Sequence, residues 1–278
     1  MRFDAPTRVP TPHGTVAVYE EGSGPPVVLL HGVFGASPVW AEVAPRLAAR
    51  HRVIAIDLLG FGHSDRPADP EALWAANQAS AVRAALDAIG VGRAAFVGYD
   101  YGGPVALTLS AQEPGRVSAM VLSATNAFPD APVPFPLSLL FVPVLGRAAE
   151  AMLFGRMGLW QAARMAVGTK GFALDRRLVL GDRAQSRAVA ALFRRALRQM
   201  PARYGPVELA LRALAVPTLV IWGDRDLFFS LDQGRRTAAA APSAELRVYE
   251  GAGHFTAEEQ PARFAEDVLA LLAVSEVR

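Results

Sequence analysis

The sequence predicts an α/β fold in which a mostly parallel sheet is flanked by helices and carries one helical insertion. Short apolar runs alternate with segments of helical periodicity up to residue 124 and again from residue 215. Most of these runs are continuously apolar, which is typical of strands buried on both faces of a parallel sheet. Between the two regions, prolines and helix-like segments replace the apolar runs. Strands that alternate with helices in this way indicate βαβ units around a single sheet.

The predicted strands are short and mainly apolar. Residues 15–20 alternate apolar and polar side chains, which indicates an edge strand or one arm of a hairpin. Apolar runs predict buried strands at residues 26–30, 52–58, 94–97, 117–123 and 217–222, and a last strand is predicted at residues 245–249. Helical periodicity predicts helices at residues 38–49, 72–89, 104–112, 231–240 and 257–273. Ser37 is the expected N-cap of the first helix.

Residues 125–214 interrupt the alternation of strands and helices. They contain no run that resembles a buried strand, and prolines disrupt residues 129–143. Helical periodicity within this region is clearest over residues 184–200. We therefore predict a core formed by residues 1–124 and 215–278, and an inserted helical cap formed by residues 125–214.

The composition excludes several classes of protein. Of the 278 residues, 52% are hydrophobic and 19% are charged, and the formal net charge is +2. These values argue against a disordered or nucleic-acid-coating chain. The absence of cysteine excludes disulfides and thiol nucleophiles. No apolar segment resembles a signal peptide or reaches the roughly 18 residues of a membrane span. We therefore expect a cytoplasmic protein with neither nucleic-acid nor membrane partners.

The predicted strand at residues 94–97 leads into a glycine-rich turn with an aspartate at its centre. The turn reads Gly98-Tyr99-Asp100-Tyr101-Gly102-Gly103, and helical periodicity begins at Pro104. Strand, sharp turn and helix form the context of a nucleophile elbow. A carboxylate in that position is able to attack a saturated carbon and form an ester. The same letters also fit a β-turn with an Asx contact, so the elbow alone leaves both interpretations open.

Two further residues follow predicted strands and complete a catalytic set. Asp226 follows the strand at residues 217–222, and His254 follows the strand at residues 245–249. Loops beyond the carboxyl ends of parallel strands lie at one edge of the sheet. The order of aspartate, acid and histidine along the chain is the order used by α/β-hydrolases. Asp224 is the alternative acid, but the spacing favours Asp226.

The chain resembles α/β-hydrolases of the haloalkane dehalogenase and epoxide hydrolase group. Five motifs carry the resemblance: His31-Gly32, Asp57-x-x-Gly60-x-Gly62-x-Ser64, Gly98-x-Asp100-x-Gly102-Gly103, Gly223-x-x-Asp226 and Gly253-His254-Phe255. The resemblance implies an α/β-hydrolase fold without cofactor or metal. It also implies Asp100 as nucleophile, His254 as base and Asp226 as the orienting acid. The backbone N–H groups of Val33 and Tyr101 would form the oxyanion hole.

The chain also departs from both relatives in this group. Haloalkane dehalogenases typically bind halide through an amide or indole N–H at the positions of Val33 and Tyr101, and neither side chain supplies one. Epoxide hydrolases usually carry two cap tyrosines, whereas the predicted cap contains only Tyr204. Trp160, whose indole N–H is a donor, is the predicted second oxygen donor. His31 is expected to brace the loop beneath the site.

These features together predict a hydrolase acting on a small apolar organic substrate. The favoured activity is that of an epoxide hydrolase, which gives a vicinal diol. A haloalkane dehalogenase would share every step except the leaving group. A binding or non-hydrolytic member of the fold is the third possibility, although a binding protein has no need to retain Asp100, Asp226 and His254 together.

Overall fold

The computed structural model describes residues 1–33, 35–132, 138, 152, 199–200 and 202–276. An eight-stranded sheet forms its centre, in the order β1-β2-β4-β3-β5-β6-β7-β8. Strands β3 to β8 are parallel to one another. At one end of the sheet, β2 runs antiparallel to β4 and β1 runs antiparallel to β2. The strands are β1 (Thr7–Thr11), β2 (Gly14–Glu21), β3 (Pro26–Leu30), β4 (Arg52–Asp57), β5 (Ala94–Tyr99), β6 (Val117–Ser123), β7 (Thr218–Gly223) and β8 (Ala244–Tyr249). This arrangement confirms the predicted α/β fold with a mostly parallel sheet.

The strand predicted at residues 15–20, as an edge strand or one arm of a hairpin, is β2. It forms a hairpin with β1 on one side and pairs with β4 on the other, so the second alternative is confirmed. It is therefore an inner strand, and β1 forms the edge. The pattern of apolar residues does not indicate β1, because Val9 is its only buried residue and Pro10 lacks an N–H.

Helices cover both faces of the sheet. They are α1 (Ala44–Ala48), α2 (Ala75–Ala88), α3 (Gly102–Gln112), α4 over residues 202–212, α5 (Leu231–Ala240), α6 (Thr256–Glu259) and α7 (Pro261–Glu276). Three short 3₁₀ turns cover Ser37–Trp40, Pro70–Leu73 and Pro114–Arg116. Among the helices within the described ranges, none is long and apolar enough to cross a membrane.

The helix predicted at residues 38–49 is wrong in its extent. The 3₁₀ turn and α1 divide it, and Pro45 lies at the start of α1. Proline removes a backbone donor and is tolerated only in the first turn of a helix, so the segment has to begin again there. Ser37 is not the N-cap either. Its backbone N–H donates to Asp57 Oδ1 at 2.7 Å, and Ala36 occupies the cap position.

The core lies on both faces of the sheet because strand side chains alternate. Val28 and Leu30 of β3 face a cluster that includes residues of α2, α3 and α4. Val27 and Leu29 face the opposite cluster, which includes residues of α1 and α7. Burying these layers fixes the strands, and hence the loops that leave their carboxyl ends.

The segment between β6 and β7 contains the region predicted as a cap. Of this region, the structure describes α4 and the residues that follow β6. Val207 and Leu211 of α4 are buried in the same cluster as Tyr101, so α4 packs beside the elbow. Trp160, Phe34 and the predicted helix at residues 184–200, apart from its last two residues, lie outside the described residues. The helical cap over residues 125–214 thus stays a prediction.

Candidate active site

Asp100 lies in a tight turn between β5 and α3, with a backbone φ of 49°. Positive φ is costly for a residue with a side chain and is found where the surrounding structure enforces it. Here the Asp100 N–H donates to Ser123 O at 3.0 Å, and Thr125 Oγ1 donates to Asp100 O at 2.6 Å. A Cβ on Gly102 would lie 2.2 Å from Leu30 O, so only glycine allows α3 to begin so close to β3. The predicted elbow is thus present in the structure.

The loop after β3 lies directly on the Asp100 side chain. The Val33 N–H donates to Asp100 Oδ1 at 2.7 Å. A Cβ on Gly32 would lie 2.5 Å from the Asp100 Cβ, so glycine is required for this approach. One predicted oxyanion-hole donor therefore contacts the carboxylate. Tyr101 follows Asp100 as the N-cap residue of α3.

His31 holds this loop in place. It is fully buried, its Nδ1 lies 2.7 Å from Gly32 O, and its Nε2 accepts a hydrogen bond from the Leu58 N–H at 3.0 Å. These contacts require a neutral ring with the proton on Nδ1. Burial lowers the pKa of His31 and favours the same state. The geometry agrees with the bracing role predicted for His31.

Asp57 anchors a second loop through hydrogen bonds from the backbone. Asp57 Oδ1 accepts from the Ser37 N–H at 2.7 Å, and Oδ2 accepts from the His63 N–H at 2.8 Å and the Tyr19 hydroxyl at 2.9 Å. A Cβ on Gly62 would lie 2.1 Å from Asp57 Oδ2. The motif that begins at Asp57 therefore shapes the loops beside the site.

Asp226 and His254 form a close pair. His254 Nδ1 lies 2.8 Å from Asp226 Oδ2, and the Asp226 side chain is completely shielded from solvent. Asp226 Oδ1 accepts from the N–H groups of Phe228 and Phe229 at 2.8 and 3.0 Å, so the carboxylate cannot rotate freely. Asp224 is exposed, and its carboxylate instead accepts from the Gly251 N–H at 2.7 Å. The structure thus places Asp226, and not Asp224, beside His254.

The imidazole of His254 also faces Asp100. Its Nε2 lies 3.6 Å from Asp100 Oδ2, which is longer than a hydrogen bond. Four aromatic rings surround it at centroid distances of 5.0 to 5.5 Å, those of Tyr99, Phe228, Phe229 and Phe255. Burial by itself lowers the pKa of His254, but the negative charges of Asp226 and Asp100 outweigh it and raise the pKa to about 10. The ring is therefore protonated at neutral pH.

Two tyrosines approach the site from different elements. Tyr101 donates its hydroxyl to Leu73 O at 2.6 Å, which turns its side chain away from the carboxylate. Tyr204 of α4 is partly buried against the cluster that contains Tyr101. Burial, and then the charge of Asp100, raise the pKa of the Tyr204 phenol above its ordinary value. The phenol therefore stays protonated and is available as a donor.

Sequence reasoning missed the residue that shapes the backbone around His254. The Glu259 carboxylate accepts from the Gly253 N–H at 2.9 Å and from the Phe255 N–H at 3.2 Å. These bonds hold both neighbours of His254. A glutamate in the first turn of α6, following Gly-His, is the signal that would have indicated this cap.

The neighbouring Glu258 is expected to make stability depend on pH. Its Oε2 is buried without a hydrogen-bond partner among the described residues. Burial, and then the charge of Glu259, raise the pKa of Glu258 from 4.5 to about 8. The folded protein therefore binds one more proton than the unfolded chain between pH 4.5 and 8, and stability falls as pH rises through that window. The slope is at most about 1.4 kcal/mol per pH unit.

Thermal denaturation of a Glu258→Gln variant checks this prediction. The melting temperature of the variant, relative to wild type, should increase from pH 5 to pH 8 and change little above pH 8. Glu266 is exposed on α7, so Glu266→Gln controls for the loss of a carboxylate from the surface. A difference in melting temperature between Glu258→Gln and wild type that does not vary with pH would contradict the raised pKa of Glu258.

Comparison with known proteins agrees with this fold. A family model described as alpha/beta hydrolase fold matches residues 25–145. The chain is 32% identical to the 2-hydroxymuconate semialdehyde hydrolase of Pseudomonas sp. (strain CF600), over 92% of this chain and 89% of that protein. The chain belongs to the alpha/beta hydrolase family.

Two further relatives of this alpha/beta hydrolase differ in their named activity. Haloalkane dehalogenase 2 of Mycobacterium bovis is 28% identical over 92% of this chain and 91% of that protein. The crystal structure of the enol-lactonase from Burkholderia xenovorans LB400 superposes with a TM-score of 0.79 at 21% identity, over 96% of this chain and all of that chain. The second similarity establishes the fold alone.

Proposed function

We propose that this alpha/beta hydrolase uses Asp100 as nucleophile, forms an ester intermediate and converts a small apolar epoxide into a vicinal diol without a cofactor. The observation that carries the proposal is the environment of the Asp100 carboxylate. Val33 N–H engages Oδ1 at 2.7 Å, and His254 Nε2 lies 3.6 Å from Oδ2. Oδ1 thus accepts a hydrogen bond from the backbone, while Oδ2 faces the imidazole of His254.

In the first step, Asp100 Oδ2 attacks a carbon of the oxirane. The bond from that carbon to the ring oxygen breaks as the new ester bond forms. Tyr204 donates its phenolic proton to the oxygen, which becomes the first hydroxyl of the diol. A donor aimed at developing charge lowers the barrier because its hydrogen bond strengthens in the transition state.

In the second step, His254 removes a proton from water, and the resulting hydroxide attacks the ester carbonyl carbon. Asp100 Oδ1 becomes the oxyanion, beside the backbone N–H groups of Val33 and Tyr101. Collapse of the tetrahedral intermediate releases the diol and restores the carboxylate. The proton that His254 releases when the ester forms reprotonates the phenolate of Tyr204 through solvent, and the proton taken from water restores the imidazolium, so the cycle balances.

The electrostatics of the site link the two steps. The charges of Asp226 and Asp100 both contribute to the raised pKa of His254. Esterification removes the charge of Asp100, so the pKa of His254 falls once the intermediate has formed. The imidazole thereby becomes available as a base at the stage where one is needed.

A haloalkane dehalogenase is the second candidate, because of the 28% identity to haloalkane dehalogenase 2. Departing halide requires donors close to the nucleophile, and the side chains of Val33 and Tyr101 provide none. The Tyr101 hydroxyl is engaged by Leu73 O. An aspartate nucleophile also suits a carbonyl substrate poorly, since attack on an ester would yield only an anhydride.

Turnover of an aryl epoxide in H₂¹⁸O tests the proposal directly. Under single-turnover conditions the diol should contain no ¹⁸O, because its new oxygen comes from Asp100. Later turnovers should introduce one ¹⁸O atom. Incorporation during the first turnover would indicate direct attack by water. Halide release from chloroalkanes or bromoalkanes without diol formation would favour the dehalogenase.

A Tyr204→Phe variant is expected to lose epoxide opening and little else. Removing one donor to a developing oxyanion typically costs about 10²–10³-fold, or roughly 2.7–4 kcal/mol. We expect a loss of that size in the rate of ester formation, measured by rapid quench, with little change in binding. Tyr249→Phe removes a phenol that donates to Asp267 at 2.7 Å and serves as the matched control. Undiminished ester formation by Tyr204→Phe would remove the phenol from the mechanism.

A further inference from the structure

The described part of α4 is fastened to the core by the side chain of Arg203. The guanidinium carbon lies 4.4 Å from the centroid of the Trp74 ring. Its Nη2 donates to Glu71 Oε2 at 2.7 Å, and its Nε donates to Gln199 Oε1 at 3.0 Å. One arginine thus connects α4 to the 3₁₀ turn and the tryptophan that precede α2.

The same turn is bound to the elbow. The Tyr101 hydroxyl donates to Leu73 O at 2.6 Å, and Leu73 lies between Glu71 and Trp74 in the chain. Tyr101 directly follows Asp100. A continuous set of contacts therefore joins Arg203 to the backbone of the predicted nucleophile.

The chemistry of arginine suits it to fix an orientation. Its planar group stacks on an aromatic ring and pairs with a carboxylate at the same time, so it restrains direction as well as distance. Successive residues of an α-helix are rotated by about 100° around the axis. Holding Arg203 against Trp74 consequently sets the rotation of α4 about its axis at this point, and with it the direction of the Tyr204 side chain.

We propose that Arg203 is a positioning residue that aims the Tyr204 hydroxyl at the substrate oxygen above Asp100. This inference rests on the proposed role of Tyr204 as oxygen donor. Arg203 itself touches no reacting atom. Its effect on the reaction passes through the placement of Tyr204, which packs against the cluster that contains Tyr101.

Arg236 of α5 provides a matched control, because it contacts the other end of the segment between β6 and β7. Its guanidinium carbon lies 3.8 Å from the centroid of the Phe128 ring, and its Nη1 donates to Asp130 Oδ1 at 2.8 Å. Arg236 thus makes the same two kinds of contact without a neighbouring tyrosine. The Arg236→Ala variant therefore shows how much the rate of ester formation changes when contacts to this segment are lost in general.

A double-mutant cycle tests whether Arg203 acts through Tyr204. A misplacement of about 1 Å is able to cost about 10²-fold in rate, so Arg203→Ala should slow ester formation by about 10- to 100-fold. In the Tyr204→Phe background the same substitution should change the rate by less than about twofold, because no hydroxyl remains to be aimed. An equal loss in both backgrounds, or an equal loss in Arg236→Ala, would overturn the proposal.

A second measurement is independent of the reaction. The chain has five tyrosines, so labelling with 3-fluorotyrosine gives a small set of ¹⁹F signals, and Tyr204→Phe identifies the one from Tyr204. Arg203→Ala should shift or broaden that signal, whereas Arg236→Ala should leave it in place. A Tyr204 signal unaltered in folded Arg203→Ala would overturn the positioning role. If the signal moves but no epoxide is turned over, the positioning role is supported and the proposed function fails.

Discussion

A His254→Gln variant is expected to stop after the first half of the reaction and to accumulate an ester on Asp100. Attack by the Asp100 carboxylate needs no base to remove a proton from the nucleophile, whereas hydrolysis of the ester needs His254 to activate water. Loss of a general base typically slows its step by about 10²–10⁴-fold. Intact-protein mass spectrometry after addition of an epoxide should therefore show that the mass of the protein has increased by the mass of one substrate molecule.

Peptide mapping and a double variant make this test specific. The added mass should lie on the peptide that contains Asp100, and an Asp100→Asn, His254→Gln double variant should carry none. If the folded single variant binds substrate and gains no mass, Asp100 does not act as a nucleophile.

An Asp226→Asn variant is expected to lose about 10⁴-fold in rate, by analogy with the same change in other catalytic triads. Asp226 Oδ2 lies 2.8 Å from His254 Nδ1 and accepts its proton. An amide that presents its NH₂ group there would reverse this bond, move the imidazole proton to Nε2 and leave no base facing Asp100. The rate of ester hydrolysis should therefore fall far more than the rate of ester formation.

Asp224→Asn is the control for this substitution. Asp224 is exposed and accepts from the Gly251 N–H at 2.7 Å, so its replacement should change the rate only a few-fold. The comparison is made by stopped-flow kinetics on both variants. A larger loss in Asp224→Asn than in Asp226→Asn would transfer the role of the acid to Asp224.

The centre of the sheet was predictable because its strands are buried on both faces. Residues 117–123 were predicted as a strand, and β6 covers Val117–Ser123. At the edge the same signal is weak. Only Val9 of β1 is buried, so the pattern of apolar residues does not indicate this strand. The helix predicted at residues 38–49 was too long, because helical periodicity alone does not show the interruption that Pro45 causes.

The site was predictable where motifs are local. Asp100, Asp226 and His254 each follow a strand of the sheet, and the structure brings them together. The bonds from Glu259 to the backbone around His254 were not predicted, since they depend on the path of the loop. Trp160 lies outside the described residues, and its role as the second donor stays a prediction.

The packing beneath Asp100 bears on how new substrate ranges could arise in this chain. Gly32 and Gly102 have no room for a Cβ, and Asp100 is held at a φ of 49°. Nearly any substitution there would displace the carboxylate, so these positions tolerate little variation. The surface of α4 has no such restriction, and Leu209 on it is 69% exposed. Laboratory evolution toward bulkier substrates should therefore collect its substitutions along α4 and leave the elbow unchanged.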